Sequence, residues 1–242
     1  MTKIRKTYMM RLVFRCLVFA VCLLIFIFRP EELDILQNGN FFHRFYVFHL
    51  LWGIWVADMI LQLVPVKEKV PLGSQKLFRQ RFKPIRDKIN YQALHQYIVS
   101  TTNAAYKVLL LWVALLTVLG ILHYTGMISD QILFLISVAF YVCDLICVLI
   151  WCPFRLILQN RCCTTCRIFN WDHLMMFTPM LFIKGFFSVS LLVLAFAVWL
   201  VWEICVLIYP ERFWEHSNEA LRCSECTDKL CIQYCKKLQQ QV

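Results

Sequence analysis

Long apolar runs alternate with short polar segments along this chain, and the runs have the length a bilayer demands. A helix needs about 20 apolar residues to cross the ~30 Å hydrocarbon layer. Residues 9–28, 41–64, 107–124, 131–151 and 186–209 each meet that requirement with few charges, and they predict five transmembrane helices. Pro30 closes the first run and Pro65 the second, each at a point where a helix cannot continue. The third and fourth are joined by a short turn around Thr125 and Gly126.

Residues 174–185 are harder to place. The apolar pattern runs from Leu174 to Tyr209, interrupted at Pro179 and at Lys184-Gly185. That length exceeds one crossing and falls short of two. The preferred reading is an interfacial or re-entrant helix over 174–183, followed by the fifth span. It leaves the C-terminal tail on the opposite side from a cytoplasmic N-terminus, whereas six short crossings would return the tail to the cytoplasm.

The polar segments orient the spans. Lys3, Arg5 and Lys6 precede the first, and residues 66–106 form a strongly basic loop carrying Lys67, Lys69, Lys76, Arg79, Arg81, Lys83, Arg86 and Lys88. Such clusters stay cytoplasmic. Glu31, Glu32 and Asp34 fall in an acidic, turn-rich loop on the other side. Residues 89–103 also carry a helical pattern that extends the third span. Within the basic loop, residues 75–82 set Leu77, Phe78 and Phe82 against basic residues, the pattern of a short helix lying on an anionic membrane. A contact through 66–90 with anionic lipid or with a cytoplasmic protein is the expectation.

Composition supports the same class. With 60% hydrophobic residues in 242, the chain is too apolar for a soluble domain. The net charge of +10 resides in segments between spans, as the positive-inside rule produces, so no nucleic-acid partner is expected. The first run resembles a signal-peptide core, but it is long and no small-residue cleavage site follows it, so it reads as a retained helix. The fold class is therefore all-α: a polytopic transmembrane bundle of about five spans over residues 1–209, with small cysteine-rich motifs at the membrane face. A bacterial inner membrane suits this organisation.

Thirteen cysteines add the chemistry. Cys16, Cys22, Cys143, Cys147 and Cys205 lie inside apolar runs, where cysteine packs as a small hydrophobe. The others gather in a loop over 152–173, with Cys152, Cys162, Cys163 and Cys166, and in a tail over 210–242, with Cys223, Cys226, Cys231 and Cys235. Each cluster contains a C-x-x-C turn, which folds back to present two thiolates to one metal ion. Either each cluster completes its own site, with His173 and His216 as spare ligands, or the two C-x-x-C turns meet in one four-cysteine site. The second arrangement requires loop and tail to share a side of the membrane. Zinc is the expected ion, with an iron-sulfur cluster second and thiol redox chemistry third.

Charges inside the spans are costly and mark pairs or pathways. Arg15, Asp58 and Asp144 fall at similar depth, roughly 10 to 12 Å from the cytoplasmic end at ~1.5 Å per residue, so they are expected to form one cluster. Glu203 is placed on the opposite side. His43, His49 and His123 are weak candidates for haem ligation. No phosphate loop, zinc-protease motif or nucleophile elbow is present in the sequence. The leading functional expectation is a metal-binding membrane module for binding or assembly. A membrane thiol oxidoreductase or iron-sulfur electron carrier comes second, and a small ion or solute transporter using the charge cluster third.

Overall fold

The computed structural model describes residues 3–37, 40–64, 78–79, 82–85, 89–158 and 166–222. In chain order the helices are α1 (Lys3–Phe28), α2 (Phe48–Leu63), α3 (Tyr91–Tyr124), α4 (Asp130–Leu149), α5 (Arg155–Leu158), α6 (Asp172–Phe177) and α7 (Phe186–Ile208). Helices α1, α3, α4 and α7 are long and apolar enough to cross a membrane, and α2 is a shorter apolar helix. Among the described residues there is no strand, only an isolated bridge between Pro84 and Asn218. The chain is an all-α integral membrane protein.

Local chemistry sets the helix ends. The Asn90 side chain accepts from the Ala93 amide at 3.1 Å, and Ser129 Oγ accepts from the Ile132 amide at 3.4 Å, satisfying N-terminal donors of α3 and α4. Gly126 sits at φ +77° between those helices. Its amide donates to the His123 carbonyl, and the Met127 amide donates to the Leu122 carbonyl, each at 2.9 Å. This paired closure of the last turn needs a residue at positive φ, which glycine supplies without strain.

Helix α3 is longer than the span expected over 107–124. It begins at Tyr91, so the helical pattern expected over 89–103 continues into the span as one helix. At ~1.5 Å per residue it measures roughly 51 Å, well beyond a ~30 Å hydrocarbon layer. In its first turns Tyr97 stacks on Trp214 with ring centroids 5.9 Å apart.

The bundle has two ends: a loop end, where residues 152–166 leave α4, and a turn end, marked by Gly126. Helix α1 packs along α4, α2 along α7, and α6 lies between α4 and α7. The core centres on Trp55, fully buried among Phe134, Tyr141, Phe177 and Phe187, with ring centroids 5.0 to 6.4 Å away. Outward positions such as Leu110, Val193 and Leu207 stay exposed on the helices, a surface suited to lipid rather than water.

Residues 166–183 run from one end of the bundle to the other, whereas an interfacial or re-entrant helix was expected over 174–183. The segment is a broken helix within the bundle: a 3-10 turn over Phe169–Trp171, then α6, then a second 3-10 turn over Thr178–Phe182. It starts at the loop end, where Arg167 meets Glu203 of α7, and finishes at the turn end. There Phe182 lies 6.2 Å from the His123 ring and 6.0 Å from the Tyr124 ring, centroid to centroid. Met176, Phe177, Met180 and Ile183 are buried along it, and the Trp112 indole donates to Thr178 Oγ1 at 2.9 Å. Pro179 breaks the helix while neighbouring helices cover the interruption, the setting in which broken backbone is tolerated at membrane depth.

Two glycines permit this path. A Cβ on Gly120 would come within 2.7 Å of the Phe182 ring, and one on Gly185 within 2.2 Å of the Leu36 carbonyl oxygen. Leu36 belongs to the 3-10 turn Pro30–Leu36 after α1, whose Leu33, Ile35 and Leu36 are buried at the turn end. Helix α7 therefore starts at the turn end and returns to the loop end. The tail leaves from the same end as the cysteine-rich loop.

Candidate functional site

Polar side chains concentrate in the half of the bundle nearer the loop end. Arg15 of α1 donates through Nη1 to Asp144 Oδ2 of α4 at 2.6 Å and to the Tyr141 carbonyl at 2.7 Å. Its guanidinium lies 4.0 Å from the centroid of the Tyr141 ring, so stacking and charge pairing act on the same group. Asp58 of α2 does not meet Arg15 directly. It accepts from His173 Nε2 at 3.3 Å.

His173 is the hub of the second half of this network. Asp172 Oδ1 lies 3.2 Å from its Nδ1, and Gln62 Nε2 approaches the same nitrogen at 3.0 Å. Gln62, His173 and Asn170 are buried. The sequence suggested His173 as a spare metal ligand in an exposed loop; here both ring nitrogens face bundle partners. Asp172 and His173 carried a sequence signal, a polar pair opening a long apolar run, but a re-entrant reading kept it away from the intramembrane charges.

Glu203 lies at the loop end, contrary to the side expected from five spans. Arg167 holds both its oxygens: Nη1 donates to Oε1 at 2.8 Å, and Nη2 donates to Oε2. The Trp171 indole donates to Oε1 at 2.8 Å, and the Trp202 indole donates to the Arg167 carbonyl at 3.3 Å. The cause of the difference is the traversing segment 166–183, which adds a passage through the bundle before α7 begins.

The same end is tied together from below. The Ile85 amide donates to the Ser217 carbonyl at 3.3 Å, the Lys83 amide to Asn218 Oδ1 at 3.2 Å, and the Glu219 amide to the Lys83 carbonyl at 2.9 Å. Part of the basic loop thus docks on the chain that follows α7. The surface helix expected over 75–82 lies largely outside the described residues.

A cavity of about 340 Å³ opens beside this network. Its walls include Cys143, Cys147, Cys152, Cys166, Met175 and Met176, with Asp144 and Asp172 reaching it from the polar cluster. Trp112, Phe140, Phe154 and Phe169 complete an otherwise apolar lining. Cys147 and Cys152 share a side-chain hydrogen bond. That bond, the backbone amides of Phe154 and Arg155 and the nearby Arg155 charge lower the Cys152 thiol to about 7, against its burial. Cys143 and Cys147, read from the sequence as packing residues, face this cavity one helical turn apart.

Of the cysteines expected to bind metal, Cys166 is described and lines the cavity. Cys162, Cys163, Cys223, Cys226, Cys231 and Cys235 lie outside the described residues. Among the described residues no group of three or more His, Cys, Asp or Glu side chains is arranged to hold a metal ion. The histidines weighed for haem have local partners: His49 Nε2 lies 2.8 Å from the Phe41 carbonyl, and His123 Nδ1 lies 3.0 Å from the Ile128 carbonyl.

No protein-family model, no curated protein and no solved structure matches the chain.

Proposed function

We propose that this integral membrane protein binds zinc through its cysteine-rich loop and tail and serves as a binding or assembly module at the membrane face. The ligands are drawn from Cys162, Cys163 and Cys166 in the loop and Cys223, Cys226, Cys231 and Cys235 in the tail. The observation that carries the reading is the Arg167–Glu203 pair, which ties the end of the loop to the last turns of α7. Arg222, the last described residue, directly precedes Cys223. A four-thiolate site shared by two C-x-x-C turns suits zinc, and its ligands would order segments that have little apolar core of their own.

The loop end is the cytoplasmic side in this reading, and the membrane is a bacterial inner membrane. Arg29, Arg44 and Lys184 are the basic residues at the turn end, whereas the N-terminus, the 66–90 loop, the cysteine loop and the tail carry most of the rest. The same asymmetry supports contact of residues 66–90 with anionic lipid.

Elemental analysis of detergent-purified protein tests the proposal, alongside variants C163S/C166S and C223S/C226S. Zinc near one ion per chain that is lost in either variant is the expected result. Absence of zinc, or zinc that neither variant removes, overturns it.

A further inference from the structure

We propose that Cys147 and Cys152 form a dithiol–disulfide couple that passes electrons to a membrane quinone whose ring enters the cavity beside them. The inference is independent of the zinc reading, since neither cysteine belongs to a C-x-x-C turn.

Three observations meet here. The two side chains line the same cavity, five positions apart on either side of the end of α4. Cys147 is fixed in the last turns of α4, while Cys152 lies in the non-helical stretch before α5, where a small backbone movement can close the pair. Hydrogen bonding to Cys147 and to the backbone amides of Phe154 and Arg155, with the nearby Arg155 charge, lowers the Cys152 thiol and favours it as the nucleophile of the pair.

The cavity supplies the acceptor's site. A volume of about 340 Å³ lies at the lower end of the range for small-molecule pockets and accommodates a quinone ring rather than its tail. Trp112, Phe140, Phe154 and Phe169 offer flat apolar surfaces. Cys143 on the wall is exposed on a membrane-crossing helix, which points the opening toward lipid, the phase in which quinones dissolve.

The chemistry balances with that acceptor alone. The Cys152 thiolate adds to a ring carbon, the displaced electron pair moves to a quinone oxygen, and that oxygen takes a proton. The Cys147 sulfur then attacks Cys152: the S–S bond forms, the S–C bond breaks, and its electron pair returns to the ring. The second oxygen takes a second proton. Two thiol protons and two electrons leave the protein, and one quinone becomes one hydroquinone.

The test uses the full chain, reduced, freed of reductant under anaerobic conditions and mixed with decylubiquinone. Quinone absorbance and non-reducing peptide mapping are followed together. The expected result is stoichiometric loss of quinone with a Cys147–Cys152 disulfide in the mapped peptides. C147S and C152S each slow quinone reduction at least tenfold, and C16S, outside the cavity lining, does not. A disulfide at other positions, or quinone reduction unchanged in both C147S and C152S, overturns the assignment. So does a pair that closes with diamide while quinone leaves it untouched. The mapping on the unaltered chain decides the matter even where a variant fails to fold.

Discussion

Arg167 and Glu203 meet in a two-pronged ion pair across 36 positions of chain, with the Trp171 indole on the same carboxylate. Their side chains are 9% and 18% exposed, so both charges are largely withdrawn from solvent. Removing one partner strands the other, a loss of about 3 kcal/mol for a buried pair. Thermal unfolding in detergent should show E203Q and R167A each well below the unaltered protein, and the swap R167E/E203R recovering part of the loss. Equal stability of all three would mean that the pair does not hold the loop to α7.

The Arg15–Asp144 pair makes a separate prediction. D144N leaves the guanidinium within the bundle without its carboxylate, at a cost of about 3 kcal/mol. The double apolar variant R15M/D144L removes both charges and should unfold within about 1 kcal/mol of the unaltered protein. That pattern marks a structural pair. A folded D144N chain of undiminished stability would instead revive a transport role for the charge cluster.

Glycine substitutions test the traversing segment. Gly185 allows α7 to start against the Leu36 carbonyl, where a Cβ would approach backbone to 2.2 Å. G185A should cost about 2 kcal/mol or more through forced displacement. At Gly53 of α2 an added Cβ would meet nothing within 4 Å, so G53A should be neutral or gain up to about 1 kcal/mol from helix propensity. Comparable losses in both would place the sensitivity in folding generally rather than at this contact.

Cys152 should be reactive at lower pH than an ordinary thiol. Its value of about 7, against 9.0 unperturbed, means that about half is thiolate at pH 7 rather than about 1%. Iodoacetamide modification, followed by mass spectrometry, should rise with pH through a midpoint near 7. C147A removes the largest cause and should move the midpoint upward. A midpoint near 9 in the unaltered chain would contradict the geometry at this thiol.

Hydropathy revealed the five apolar helices because a lipid-facing span must be apolar along its length. The expected 131–151 and 186–209 lie within two residues of Asp130–Leu149 and Phe186–Ile208. It failed at 166–183, where Pro179 and the polar residues Asn170, Asp172 and His173 disguise a passage covered by other helices. The side of the tail turned on that choice, five spans against six short crossings. Arg15 with Asp144 was legible from depth alone. Partners such as Arg167 for Glu203 and His173 for Asp58 depend on how helices meet, which periodicity along one strand of sequence does not carry. Cys143 and Cys147 were read as packing residues because apolar neighbours in sequence gave no sign of the cavity they face.

The path of segment 166–183 and α7 sets Arg167, just after the cysteine-rich loop, against Glu203 near the end of α7, and the proposed shared zinc site requires loop and tail to lie on one side of the membrane. Single-cysteine chains that retain only Cys163 or only Cys226 test that placement, through labelling with a membrane-impermeant maleimide in intact cells and in inverted vesicles. Both should label in inverted vesicles and neither in intact cells. Labelling of the two from opposite faces would contradict this path and separate the loop from the tail.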